Sequence, residues 1–275
     1  MKVHRLARSL TVGRLASLIL IVAFVALRFW DPAPLETARG KTFDLYQIAH
    51  PRIVGTYPVT IVDIDERALQ ELGQWPWSRA VVADLVDRLT ALGAVAIGFD
   101  VLFSEPDRLS PRRIAETLNI ADESTRANLQ SLPDSDDLLA RALSRSRVVL
   151  GQAGQAGASV STSKTAQLPR TSIATIGGDP QSELIRFPKL LRNLTEFELA
   201  AAGRGLFTVE PERDGVMRRV PTILSIEGRI VPALSIELLR VATGATSLVV
   251  KSDEAGVKSL IVAGVEIATD RDGQI

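Results

Sequence analysis

The feature that most constrains this chain is an apolar run near the N-terminus that follows several basic residues. The run carries no charge from Leu15 to Leu27. Counted from Thr11 to Trp30, it reaches the ~20 residues that a membrane-spanning helix needs, because arginines near its ends can extend their charges towards water. The basic residues that precede the run are Lys2, Arg5, Arg8 and Arg14.

The charge asymmetry around this run predicts its orientation. Basic flanks stay on the cytoplasmic side of a membrane. We therefore predict a cytoplasmic N-terminus at 1–14, a transmembrane signal anchor at 15–30 and an extracytoplasmic domain at 31–275, at the inner (cell) membrane. A cleaved signal peptide is the alternative, although no clear small-residue cleavage pattern precedes Asp31.

Composition excludes several classes of protein. Lysine plus arginine and aspartate plus glutamate number 32 each, so no basic surface predicts nucleic-acid binding. The chain has no cysteine, which excludes a disulfide framework, a thiolate zinc site and a lipid-modified cysteine. A chain of 275 residues is long enough to bury a substantial core.

The pattern after the anchor predicts an α/β fold. Val59 to Ile64 and Ala94 to Phe103 are apolar, β-branched runs typical of buried strands, and Arg79 to Leu92 between them has helical spacing with Ser78 as its N-cap. Such a βαβ unit predicts parallel strands. We expect a mostly parallel central sheet flanked by helices, with an antiparallel extension, preceded by the one transmembrane helix.

Weaker signals place the remaining elements. A turn is expected at Glu227-Gly228, a hairpin at Asp214-Gly215, and a loop of small residues from Gly151 to Thr175. Further helices are predicted within 35–50 and at 65–72, 134–145, 189–202 and 232–241, and further strands at 148–150, 206–209, 216–225, 247–250, 259–262 and 265–268.

Acidic residues at the ends of the two central strands form one candidate site. Asp63 and Asp65 follow the first run, and Asp100 lies near the end of the second. Ligands of open α/β sheets bind at the carboxyl ends of the strands, where these oxygens could take a hard cation or a polar ligand. The alternative is that these aspartates cap helices and hold loop backbones.

The segment GQWPWSR, from Gly73 to Arg79, is the second candidate. Trp75 and Trp77 could form an aromatic wall of a ligand pocket, with Arg79 pairing with an anion. The alternative is a rigid corner that buries both indoles. No metal site and no cofactor is predicted, and the two histidines, His4 and His50, do not suggest a catalytic pair.

Several blocks of sequence resemble the type 2 CHASE domain, an extracellular sensory domain associated with cyclases and histidine kinases. The resemblance covers most of residues 40–275, in conserved order and spacing of blocks. The blocks are IVDIDERALQELGQWPWSR (61–79), GAVAIGFDVLFSEPD (93–107), SDDLLARAL (135–143), VVLGQ (148–152), GLFTVEPERDGVMRRVP (205–221) and PALSIELLRVATG (232–244).

The resemblance implies a periplasmic or extracellular sensor in a bacterial transmembrane receptor. Receptors of this kind carry a cytoplasmic output, for which an adenylate or guanylate cyclase is expected first and a histidine or serine/threonine kinase is the alternative. It implies a homodimer that senses an unknown small molecule or environmental signal. The family continues beyond the position of Gly273, so the domain is expected to be incomplete here.

The sequence is also compatible with two other functions. One is a membrane-anchored periplasmic enzyme that uses a metal at Asp63, Asp65 and Asp100. The other is a dimerisation module that binds no ligand. No serine-nucleophile elbow, phosphate-binding loop, zinc-protease helix or kinase motif is present in the sequence.

Overall fold

The computed structural model describes residues 2–30, 32–51, 53, 55, 58–118, 120, 122–156 and 171–275, with side chains of the first helix from Gly13 onward. The chain divides into two compact units. The smaller unit is Met1–Asp63 with Pro211–Val216, and the larger unit is Ile64–Glu210 with Met217–Ile275. Each unit is described by itself.

Helices and strands alternate along the larger unit, and the smaller unit is helical. The helices are α1 (Lys2–Trp30), α2 (Ala33–Ala49), α3 (Glu66–Leu72), α4 (Arg79–Ala91), α5 (Pro111–Thr117), α6 (Glu123–Ser131), α7 (Ser135–Arg145), α8 (Thr195–Ala200) and α9 (Leu234–Thr243). The strands are β1 (Ile97–Phe99), β2 (Val148–Gln155), β3 (Ser172–Gly177), β4 (Arg186–Phe187), β5 (Lys189–Leu191), β6 (Gly203–Leu206), β7 (Ile223–Ile226), β8 (Arg229–Pro232), β9 (Ser247–Asp253), β10 (Gly256–Val262) and β11 (Val265–Ala268).

The smaller unit contains the predicted anchor. In α1, the segment Gly13–Trp30 has a mean hydropathy of 1.8 and no buried residue, so its length and composition suit a membrane span. Pro34 lies in the first turn of α2, directly after the N-cap region at Pro32, where the fixed φ of proline suits a helix start. Arg213 Nη1 lies 3.7 Å from Glu36 Oε2 within this unit.

The α4–α7 pair forms the helical side of the main core. Ser78 caps α4 by accepting from Ala80 N, and Asp134 caps α7 by accepting from Asp136 N, so local polar residues define where both helices begin. Leu139, on α7, is completely buried, which stabilises the fold by roughly 1.5–3 kcal/mol. The predicted boundaries of α4 are confirmed to within one residue.

Within the described residues the strands form three mixed sheets, and the expectation of a mostly parallel sheet is wrong. The sheets have the orders β1-β2-β5 with β6 also on β2, β11-β10-β9-β3, and β4-β7-β8. Four strand pairs are parallel (β1–β2, β2–β6, β3–β9 and β4–β7), and four are antiparallel (β2–β5, β7–β8, β9–β10 and β10–β11). The α/β class and the antiparallel extension at β9 to β11 are confirmed.

The predicted first strand and its βαβ unit are not formed. Val59 to Ile64 has no strand assignment, and Ile61 is 87% exposed. β-branched residues fit a pleated, half-buried surface, and this segment has no ladder partner among the described residues to provide one. The second run is a strand only at β1, whose parallel partner is β2.

Four further predictions are corrected by the observed elements. The predicted helix at 189–202 begins as β5, which pairs with β2, so only Thr195–Ala200 is helical. No hairpin forms at Asp214-Gly215, and the strand predicted at 206–209 lies earlier, at β6. Pro232 ends β8 rather than opening α9, because β8 continues its ladder with β7.

The segment predicted as a loop from Gly151 to Thr175 is shorter than expected. β2 extends to Gln155 and β3 begins at Ser172, because both strands find partners in the second half of the chain. The part of this prediction at 157–170 lies outside the described residues. The turn at Glu227-Gly228 is confirmed between β7 and β8.

Candidate functional site

Each of the three acidic residues predicted as ligands lies in its own local environment. Asp65 caps α3, with Oδ1 accepting from Ala68 N at 2.8 Å. Asp100 is exposed directly after β1, and Asp63 is exposed in an extended segment. Among the described residues, no group of three or more histidines or acids has the arrangement of a metal site.

The two tryptophans form the corner that leads into α4. Trp77 is 8% exposed, and its Nε1 donates to Gly73 O at 2.8 Å. Trp75 meets Trp77 edge to face at 5.4 Å and packs against the main hydrophobic core. The corner therefore fixes the backbone at the point where Arg79 begins α4.

Arg79 is buried beneath this corner. Its guanidinium Cζ lies 4.7 Å from the centre of the Phe103 ring, and its Nη2 donates to Glu105 O at 3.3 Å. Its Nε lies 3.9 Å from Asp136 Oδ1 and makes no hydrogen bond. Burial lowers the pKa of Arg79, while the charges of Asp107 and Asp136 oppose that shift.

Asp107 connects the corner to the segment that follows β1. Its Oδ2 accepts from Arg79 N at 2.7 Å and from Ser78 Oγ at 2.8 Å, and its Oδ1 accepts from Leu109 N at 2.8 Å. The residue is only 4% exposed. A buried carboxylate with three donors is fully satisfied, so Asp107 anchors the start of α4 to this segment.

Asp136 completes the group from the first turn of α7. Its Oδ2 accepts from Asp107 N at 3.0 Å, but its buried Oδ1 has no hydrogen-bond donor. The residue is 8% exposed. Asp134, the N-cap residue of α7, accepts from Asp136 N at 2.9 Å and from Ser110 Oγ at 3.1 Å.

We call Arg79, Asp107, Asp134 and Asp136 the Arg79 cluster. It joins three of the sequence blocks singled out above, through contacts that span 28 and 29 residues of chain. The charges of Asp107 and Asp136 act on the Arg79 guanidinium, and Asp134 adds a third carboxylate beside Asp136, so acid is in excess. Sequence reasoning selected Arg79 but missed Asp107 and Asp136 as its partners, because nothing in local spacing shows which distant acid a buried arginine meets.

A second buried polar group lies at the end of β2. Glu198 Oε1 accepts from Gln152 Nε2 at 2.5 Å and from Asn193 N at 3.2 Å, and Arg204 Nη1 lies 3.5 Å from Glu198 Oε2. Asn193 also accepts from Phe103 N and donates to Gly151 O. These contacts connect β2, β6 and the segment after β1 to α8 and to the segment before it.

An open cleft lies beside the β7–β8 turn. Its volume is about 350 Å³, near the lower limit of small-molecule sites. It is lined by Gln181, Arg186, Phe187, Pro188, Ser225, Glu227 and Gly228. Arg186 is already bonded to Gln181 O through Nε and Nη2, so its guanidinium is held against the wall of the cleft.

Comparison with known proteins assigns the family. The family model of the CHASE2 domain matches residues 18–275, which is nearly the whole chain. No curated protein and no solved structure matches this sequence.

Proposed function

This chain belongs to the CHASE2 domain family, and from that membership we propose that it is the sensor region of a membrane receptor. CHASE2 domains are extracellular sensory domains, which is consistent with a sensor role here. The observation that carries the proposal is the family match over residues 18–275, which includes most of the apolar span Gly13–Trp30 in α1.

The proposed orientation in the membrane is based on α1 and on the basic residues near its start. α1 is long and apolar enough to span a bilayer, and most of its basic residues lie at or before the start of the apolar segment, with Arg28 near its end. This pattern supports a cytoplasmic N-terminus and a sensor on the other side of the membrane. An external signal would then shift the receptor between two states, by as much as its affinity for the two states differs.

The output of the intact receptor is proposed from family association alone. We propose a class III adenylate or guanylate cyclase as the output and a homodimer as the working form. Ligand contact by Asp63, Asp65, Trp75, Trp77, Arg79 and Asp100 stays a prediction.

The test is to read the gene downstream of the codon of Ile275 and to assay the protein that the whole reading frame encodes. We expect the reading frame to continue past the codon of Ile275 into membrane-spanning helices and a cyclase domain. Membranes containing that protein should convert ATP or GTP to the cyclic nucleotide, and a vector-only membrane is the control. A continuation without a nucleotide cyclase domain would overturn the output assignment but not the family.

A further inference from the structure

Asp136 is a buried carboxylate whose two oxygens differ in hydrogen bonding. Oδ2 accepts a backbone N–H, but Oδ1 faces Arg79 Nε at 3.9 Å, too long for a hydrogen bond. Both of these facing atoms lack any hydrogen-bond partner. A buried charge that is incompletely satisfied is destabilising, and a carboxylate can relieve this by taking up a proton.

The charged groups around Asp136 come from every element packed against it, and most are acidic. Arg79 approaches from the start of α4, and Asp107 from the segment after β1. Asp134 and the exposed Asp137 flank it on α7. Glu196, on α8, is close enough to sense the charges of the α7 aspartates. One cation therefore faces an excess of carboxylates.

We propose that the Arg79 cluster is the proton-sensing site of this domain, and that protonation of Asp136 strengthens the contact between α4, the Phe103–Ser110 segment and α7. The proposal rests on the proposed sensor function and names external acidity as the stimulus. Proton uptake takes the trio of Arg79, Asp107 and Asp136 from a net charge of −1 to zero. It also removes the repulsion of Asp136 with Asp134 and Glu196.

The environment of Asp136 gives the direction of the response. Burial, followed by the charges of Asp134 and Asp107, raises its pKa, while the backbone N–H of Asp107 and the charge of Arg79 oppose the rise. A carboxyl group whose folded pKa is raised destabilises the fold once it ionises, as pH increases through that pKa. Lowering the pH through the raised pKa of Asp136 therefore stabilises the Arg79 cluster. Burial likewise raises the pKa of Glu196, with the charge of Asp136 second.

The experiment is a pH series of thermal unfolding on the full chain in detergent micelles, from neutral pH down to the ordinary pKa of aspartate. Trp75 and Trp77 lie in the corner above the cluster and report by fluorescence. The variant is Asp136→Asn, which imitates the protonated form. The matched control is Asp137→Asn, which removes the same charge from an exposed position on the same helix turn.

We expect the unfolding temperature of the native chain to approach that of Asp136→Asn as pH falls, because the native carboxyl becomes neutral. The control Asp137→Asn should keep the pH dependence of the native chain. An equal pH dependence in the native chain and in Asp136→Asn would overturn the proposal.

Asp134→Asn provides an independent test if Asp136→Asn does not fold. Asparagine is as good an N-cap as aspartate, so α7 keeps its cap while Asp136 loses a neighbouring negative charge. In Asp134→Asn, the pH at which the unfolding temperature changes should be lower than in the native chain. The same pH in both proteins would contradict the proposal. None of these measurements uses an output domain, so their failure would leave the receptor assignment standing.

Discussion

At the scale of single residues, the role of a side chain in the Arg79 cluster depends more on its partners distant in sequence than on its residue type. Trp75, Trp77 and Arg79 could be selected from the sequence because two tryptophans around a proline are unusual. Asp107 and Asp136 could not, since both occur in ordinary acidic stretches and acquire their role only when folding brings them against Arg79. Asp65 acts as a helix cap, as the alternative interpretation expected.

Gly151, in β2, is required by close packing rather than by backbone conformation. A Cβ at this position would lie 2.5 Å from Phe99 O and 2.5 Å from Phe207 Cδ1. We therefore expect Gly151→Ala to lower the free energy of unfolding by about 1–3 kcal/mol, because an overpacked core must shift. Chemical denaturation in micelles measures this change.

Gly98, in the neighbouring strand β1, is the matched control for Gly151. A Cβ at Gly98 would meet only the end of the Leu238 side chain, at 3.2 Å from Cδ2, and that flexible end can move. Gly98→Ala should therefore be clearly less destabilising. An equal loss of stability for the two variants would show that the contacts with Phe99 O and Phe207 do not determine the effect.

At the scale of elements, helices were predicted better than strands. The signals of α4 and α7 are local, because each has an N-cap and an apolar stripe within a few turns. A strand depends on a partner far away in sequence. Val59 to Ile64 has the composition of a strand but no strand partner among the described residues, whereas Lys189–Leu191 forms a strand because β2 pairs with it.

The start of α6 provides a prediction about pH. Hydrogen bonds from the Thr125 side chain and then from Ser124 lower the pKa of Asp122 to about 2. Thr125→Val keeps the shape of the side chain but removes its hydroxyl, so the pKa of Asp122 should rise. Ser124→Ala should raise it less. Titration of the Asp122 carboxyl carbon by NMR measures both shifts.

The sign of the corresponding stability effect follows from the lowered pKa. The cap stabilises α6 above the ordinary pKa of aspartate, and this contribution is lost as pH falls towards about 2. The direction is opposite to that expected for Asp136. If Thr125→Val left the Asp122 titration unchanged, the backbone N–H of Thr125 would be the dominant donor.

At the scale of the whole molecule, the orientation in the membrane is the testable property. An alkaline phosphatase fused after Ile275 should be active in bacterial cells, because that enzyme requires export from the cytoplasm, whereas a cytoplasmic reporter at the same site should not. Replacing Lys2, Arg5, Arg8 and Arg14 with glutamine should reduce the phosphatase activity, since the basic flank directs orientation. Phosphatase activity unaffected by these substitutions would contradict the predicted role of the basic flank.

The parallel strand pairs have a consequence for how such a domain is inherited. β2, β3 and β4 come from the middle of the chain, and their parallel partners β6, β9 and β7 all lie further towards the C-terminus. A cut between these two sets separates β2 from β6, β3 from β9 and β4 from β7, so it breaks a parallel strand pair in each of the sheets. We therefore expect gene fusion and recombination to join this domain to other domains as one piece, because a fragment cut inside it would lose strand partners in each sheet.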